Sequence, residues 1–180
     1  MLNLPNCLTL MRIFAAPLIV VLLYYERPLS CFGAALLFAL ASITDLLDGH
    51  IARRDNLVSN FGKFLDPLAD KVLICSVLIM FTYLNWISAW ITIVIVCREL
   101  LVTGLRATAA DEGIVIAADK FGKWKTALQS IAIVPLTLHY PVLGINVHRL
   151  GEFLLYIALA LTVVSGVNYL YSYYHNQVIS

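Results

Sequence analysis

The chain has 180 residues, of which 61% are hydrophobic and only 13% charged, and its mean hydropathy is +0.87. That excludes a water-soluble domain of this size, because apolar runs of about 18 residues or more, the length a helix needs to cross a bilayer, recur along the chain. A net charge of +1 from scattered residues offers no basic stripe for nucleic acid.

In chain order, apolar patterning predicts spans at Leu8–Tyr25, Cys31–Gly49, Pro67–Leu84, Ile87–Ala110, Phe121–Tyr140 and Leu150–Tyr171, all within one domain over residues 1–180. The first lacks a basic leader and a small-residue cleavage site, so it reads as a retained helix. Glu26-Arg27-Pro28 closes it, and His139-Tyr140-Pro141 closes the fifth. Val72 to Cys97 is apolar almost throughout and admits a single long span, with Asn85-Trp86 as its only turn signal. Basic residues decide in favour of two. Of the 12 lysines and arginines, all but Arg27 and Arg149 fall on one side when six spans leave both termini in the cytoplasm. A single span there would put Arg98 to Lys125 on the opposite side and erase the asymmetry. The expected fold is therefore an all-α polytopic membrane protein with six transmembrane helices. Cys7, Cys31, Cys75 and Cys97 have no CxxC spacing and read as reduced, packed thiols.

Two aspartate pairs stand at the ends of apolar runs, where an unsupported carboxylate is costly and marks a functional site. On helices, Asp45 and Asp48 are three residues apart and Asp66 and Asp70 four apart, so each pair projects from one face. Four hard oxygen ligands suit magnesium or manganese, and two such ions can clamp the attacking and leaving oxygens of a phosphoryl transfer. Gly49 leaves room for a head group to approach, and Arg53 follows one helical turn later.

Taken together the segment reads Asp45-x-x-Asp48-Gly49-x-x-Ala52-Arg53, eight residues, then Gly62-x-x-x-Asp66-x-x-x-Asp70. It resembles the signature of the CDP-alcohol phosphatidyltransferases, with every defining position filled. The opening stretch from Asn3 to Arg12, the segment Arg98 to Arg106 and the run Gly122 to Thr126 resemble the branch of that family that makes phosphatidylglycerophosphate. The likeness covers essentially the whole chain.

The resemblance implies the six-helix fold of that family, usually as a homodimer, multi-pass in a bacterial inner membrane with the site at its cytoplasmic boundary. It implies two divalent cations, Mg2+ or Mn2+, held by Asp45, Asp48, Asp66 and Asp70, with Asp70 also the general base. It implies CDP-diacylglycerol bound by Asn6, Thr9, Asp48, Gly49, Arg53, Ser59 and Gly62. The implied acceptor is sn-glycerol 3-phosphate, and Arg106, Lys123, Thr103 and Arg98 are its expected phosphate ligands, Arg98 also being placed to pair with Glu99. Cardiolipin synthases and enzymes using inositol phosphate or serine share the family, so the acceptor stays open at this point. A small ion-coupled transporter would also place carboxylates at membrane depth, but it has no need of Gly49, Arg53 and Gly62 at these spacings. An intramembrane prenyltransferase lacks the Gly-x-x-Ala-Arg element. Lys125, Lys120 and Arg54 are expected to be interfacial anchors, as are Trp86, Trp90, Trp124 and the tyrosines near the carboxy terminus. His139 and His148 are expected on the far side from the site.

Overall fold

The structure is a computed structural model that describes residues 4–55, 60–111, 120–141, 144 and 146–179; within them, the side chains of 4–8, 45–55, 60–67, 110–111, 120–123 and 176–179 lie outside the description. Six helices account for nearly all of it: α1 (Leu4–Tyr24), α2 (Pro28–Asp55), α3 (Asn60–Tyr83), α4 (Ala89–Asp111), α5 (Lys120–Leu138) and α6 (Val147–Ile179). The apolar run from Val72 to Cys97 is broken into α3 and α4 at Asn85-Trp86, as the basic-residue pattern requires. Among the described residues, Val147–His175 is long and apolar enough to cross a membrane, and Thr9–Tyr24 and Pro28–Thr44 are shorter apolar helical stretches.

Three helix ends explain how the chain reverses. Glu26, Asn85 and His139 take left-handed backbone conformations, with φ of 47°, 58° and 37°, just beyond the last residues of α1, α3 and α5. Such a residue turns the chain out of the helix while its neighbours satisfy the last carbonyls. After α3, Trp86 N–H bonds to Phe81 O at 2.8 Å and Asn85 N–H to Thr82 O at 3.1 Å. The three turns meet at one end of the bundle. There the Tyr140 hydroxyl donates to Glu26 O, and Trp86 stacks on His139 with ring centroids 4.0 Å apart. His148 lies beside them, its Nδ1 3.2 Å from that of His139. Trp86 is therefore core rather than an interfacial belt residue, being 7% exposed and also stacked on Phe81. Tyr169 and Tyr173 are likewise buried, against expectation, whereas Trp90 and Trp124 stay exposed.

Helix neighbours close a ring: α1 packs on α2 and α3, α2 on α5, α5 on α6, α6 on α4, and α4 on α3. Contacts between α3 and α5 cross its interior. On α1 the buried stripe is Arg12, Ala16, Ile19 and Leu23, while Met11, Phe14, Leu18 and Val21 point outward. A helix apolar on both faces suits a lipid surround on one side and a protein core on the other. Small residues let helices approach. Cys31, Ala34 and Ala41 serve α2, and Gly151 is indispensable to the α5–α6 contact, because a Cβ there would stand 2.7 Å from Leu136 N and 3.1 Å from Ala132 O. Polar pairs add interhelical bonds: Thr82 to Thr92 at 2.7 Å joins α3 to α4, and Gln129 Nε2 to Thr162 Oγ1 at 3.1 Å joins α5 to α6. Cys31, Cys75 and Cys97 are free thiols, as expected, but Cys97 is exposed rather than packed because it lies on the outward face of α4; the Cys7 side chain lies outside the description.

Candidate active site

At the end of the bundle opposite the three turns, charged side chains gather inside the ring. Arg12, 2% exposed, belongs to the inward stripe of α1, with fully buried Thr9 one turn before it. Its Nη1 donates to Asp70 Oδ1 on α3 at 2.8 Å. A buried guanidinium needs a counter-charge, and the bond fixes the carboxylate's orientation.

One residue after Asp70, Lys71 faces a second cluster centred on Glu99 of α4. Glu99 Oε1 accepts from Arg98 Nη1 at 3.2 Å and forms an ion pair with Lys125 of α5; its Oε2 lies 4.0 Å from Lys71 Nζ. Arg98 also donates from Nη2 to Ser165 Oγ of α6 at 2.7 Å. Gly166 makes room for this, since a Cβ there would lie 3.1 Å from Arg98 Cγ. The expected Arg98–Glu99 pairing is thus present.

Between the two clusters lies a cavity of about 250 Å³, lined by Asp70, Lys71, Cys75, Glu99, Thr126 and Gln129 among others. Among the described side chains, Arg12 pairs with Asp70 on one side of it, and Lys71, Arg98 and Lys125 share Glu99 on the other. Lys71 lines the cavity directly, and Arg98 and Lys125 join it through Glu99, which lines the cavity too. A cavity of about 320 Å³ at the other end, near Asn85, Trp86 and Glu152, is remote from these groups.

Asp45, Asp48, Gly49 and Arg53 lie on the last turns of α2 and Gly62 and Asp66 on the first turns of α3, so both aspartate pairs are helical as expected. Their side chains, with those of Asn6 and Lys123, lie outside the description, as does Ser59 altogether. Whether the four carboxylates converge therefore falls outside the described residues. Among the side chains that are described, no three His, Cys, Asp or Glu are grouped to hold a metal ion.

Of the expected acceptor-phosphate ligands, Arg98 is within the cation cluster. Arg106 is exposed, with its guanidinium carbon 5.8 Å from the centre of the Tyr169 ring, and the exposed Thr103 donates to Glu99 O of its own helix at 2.6 Å. Lys125 corrects the sequence reading: it is 3% exposed and ion-paired, not an interfacial anchor. Arg12, Lys71 and Gln129 were not singled out, and Glu99 was foreseen only as the partner of Arg98. The signal available for them was charge and amide within apolar stretches, but facing direction depends on how the six helices are arranged.

The chain belongs to the CDP-alcohol phosphatidyltransferase family, whose sequence pattern matches residues 2–164. Within that class, it is 41% identical to the CDP-diacylglycerol–glycerol-3-phosphate 3-phosphatidyltransferase of Bacillus subtilis (strain 168), covering 94% of each chain. Proteins of that same name from Rickettsia bellii and Shigella flexneri are 44% and 38% identical, each over 93% of both chains.

Proposed function

We propose that the protein transfers the phosphatidyl group of CDP-diacylglycerol to sn-glycerol 3-phosphate, giving phosphatidylglycerophosphate and CMP. The carrying observation is the cluster of Lys71, Arg98 and Lys125 around Glu99, beside the cavity that Asp70, Lys71 and Glu99 line, since a phosphate monoester needs cations within reach of the group that takes its proton. An uncharged alcohol such as glycerol or inositol has no use for those cations. Relatives with the corresponding enzyme name, similar along nearly their whole length, support the same acceptor.

In this reading the acceptor phosphate sits against Lys71, Arg98 and Lys125, with Arg106 and Lys123 flanking the entrance. The glycerol hydroxyl then points toward Asp70, which takes its proton as the oxygen attacks the phosphorus that carries diacylglycerol. The new P–O bond forms as the bond to the CMP oxygen breaks, and CMP leaves. Arg12 keeps Asp70 oriented for this step. Asn6, Thr9, Gly49, Arg53, Ser59 and Gly62 serve the CDP-lipid.

Asp45, Asp48, Asp66 and Asp70 are an oxygen-only donor set, which suits Mg2+ or Mn2+ and not a thiolate-seeking metal. Two bound ions supply charge neutralisation for the diphosphate and the leaving CMP. The fit is chemical: hard ligands, paired at three and four residues on helices, with Asp70 already facing the cavity.

The reading also places six spans in a bacterial inner membrane, with both termini and the site cytoplasmic and two copies forming a homodimer. The outward-facing apolar side chains of α1 and the one-sided distribution of basic residues support it. The test is CMP release by purified enzyme offered CDP-diacylglycerol with glycerol 3-phosphate, phosphatidylglycerol, inositol phosphate, serine or glycerol. Glycerol 3-phosphate is expected to be strongly preferred, and chelation by EDTA to stop the reaction until Mg2+ or Mn2+ is restored. Preference for any other acceptor overturns the assignment.

A further inference from the structure

We propose that Glu99 is a positioning residue that sets the spacing of the acceptor-phosphate cations and thereby the selectivity for a phosphate-bearing acceptor; this rests on the reaction assigned above. Glu99 is the carboxylate on which the described cations of three helices meet: Lys71 of α3, Arg98 of α4 and Lys125 of α5. Arg98 is tied in turn to Ser165 of α6 and passes over Gly166, so the fourth helix is held in the same arrangement. Like charges confined at this depth repel, and long lysine side chains have many rotamers, so three cations converge only where an anion gathers them.

A carboxylate has no proton to donate to phosphate and repels it, so Glu99 serves the acceptor only through its partners. Two effects of removing it oppose each other. One repulsion toward phosphate is lost, which favours binding; the common partner of three cations is lost too, which lets them spread. The second dominates, because it alters several charge-assisted contacts and the first alters one pairwise term.

Wild type, Glu99→Gln and Glu99→Asp are assayed in full-length protein with each substrate varied in turn. Glu99→Gln is expected to raise KM for glycerol 3-phosphate by about tenfold or more, while KM for CDP-diacylglycerol stays within about twofold, the signature of lost acceptor binding. Its preference for glycerol 3-phosphate over glycerol, as a ratio of kcat/KM, is expected to fall by about the same factor. Glu99→Asp keeps the charge on a side chain one methylene shorter and is expected to lie between the two. Should Glu99→Gln fail to accumulate as folded protein, Glu99→Asp carries the test: a KM for glycerol 3-phosphate equal to wild type overturns the role. An unchanged or lower KM in Glu99→Gln also overturns it, as does an equal rise for both substrates accompanied by a fall in melting temperature. A wild type that does not use glycerol 3-phosphate overturns the assigned reaction instead.

Discussion

Asp70 combines the demands of the site in one side chain. It faces the cavity, accepts from a buried arginine and stands next to a lysine that belongs to the Glu99 cluster. Asp70→Asn keeps the shape and removes the proton acceptor, so kcat is expected to fall by about 100-fold or more in the CMP-release assay, a common size for a general base. Arg12→Gln keeps a donor but loses the charge-assisted bond that orients Asp70. It is expected to lower kcat by about tenfold, with a smaller effect on either KM, because misorientation acts at the chemical step. Lys125→Met replaces a buried ammonium with an apolar chain of similar length, and the expected outcome is a higher KM for glycerol 3-phosphate and an unaltered one for CDP-diacylglycerol. A Lys125→Met enzyme with wild-type saturation by both substrates would return that residue to a structural part.

At the scale of elements, the α5–α6 pair carries the tightest contact. Gly151 on α6 touches Leu136 of α5 so closely that no side chain fits, and backbone atoms are the obstacle, so rotamer changes give no relief. Gly151→Val is expected to destabilise the protein by roughly 1–3 kcal/mol or more, the usual cost of overpacking, seen as a lower unfolding temperature in detergent micelles. Gly104 on α4 is the control, since a Cβ there meets nothing within 4 Å. Gly104→Ala is expected to leave the melting temperature unchanged or slightly higher, because the helix gains propensity without a clash. A loss of stability comparable to that of Gly151→Val would show that small residues on these helices matter for something other than close approach.

For the whole molecule, the ring of helices puts the three turns at Glu26, Asn85 and His139 at one end and the ion-paired clusters at the other. The proposed topology makes the turn end extracytoplasmic. In a background lacking the four native cysteines, single cysteines at Ser88 and Asn146 are expected to react with a membrane-impermeant maleimide on intact cells, and one at Thr108 only after permeabilisation. Equal reactivity of Ser88 and Thr108 from outside would sink the six-span arrangement.

Sequence by itself determined the class of structure and the chemistry to look for. Hydropathy does not depend on tertiary contacts, so six apolar segments and the break at Asn85 were legible, and a motif fixed by spacing along two helices was legible for the same reason. Tertiary structure alone decided which charges share a pocket. Arg12 and Asp70 are 58 residues apart in the chain, and Arg98 and Ser165 are 67 apart. Their meeting depends on α1 lying against α3 and α4 against α6, an order that no local pattern encodes. Lys125 shows the physical reason most clearly. A lysine near the end of an apolar run either snorkels to the lipid phosphates or turns inward to a carboxylate. The choice rests on α4 carrying Glu99 to within reach of α5 across the ring.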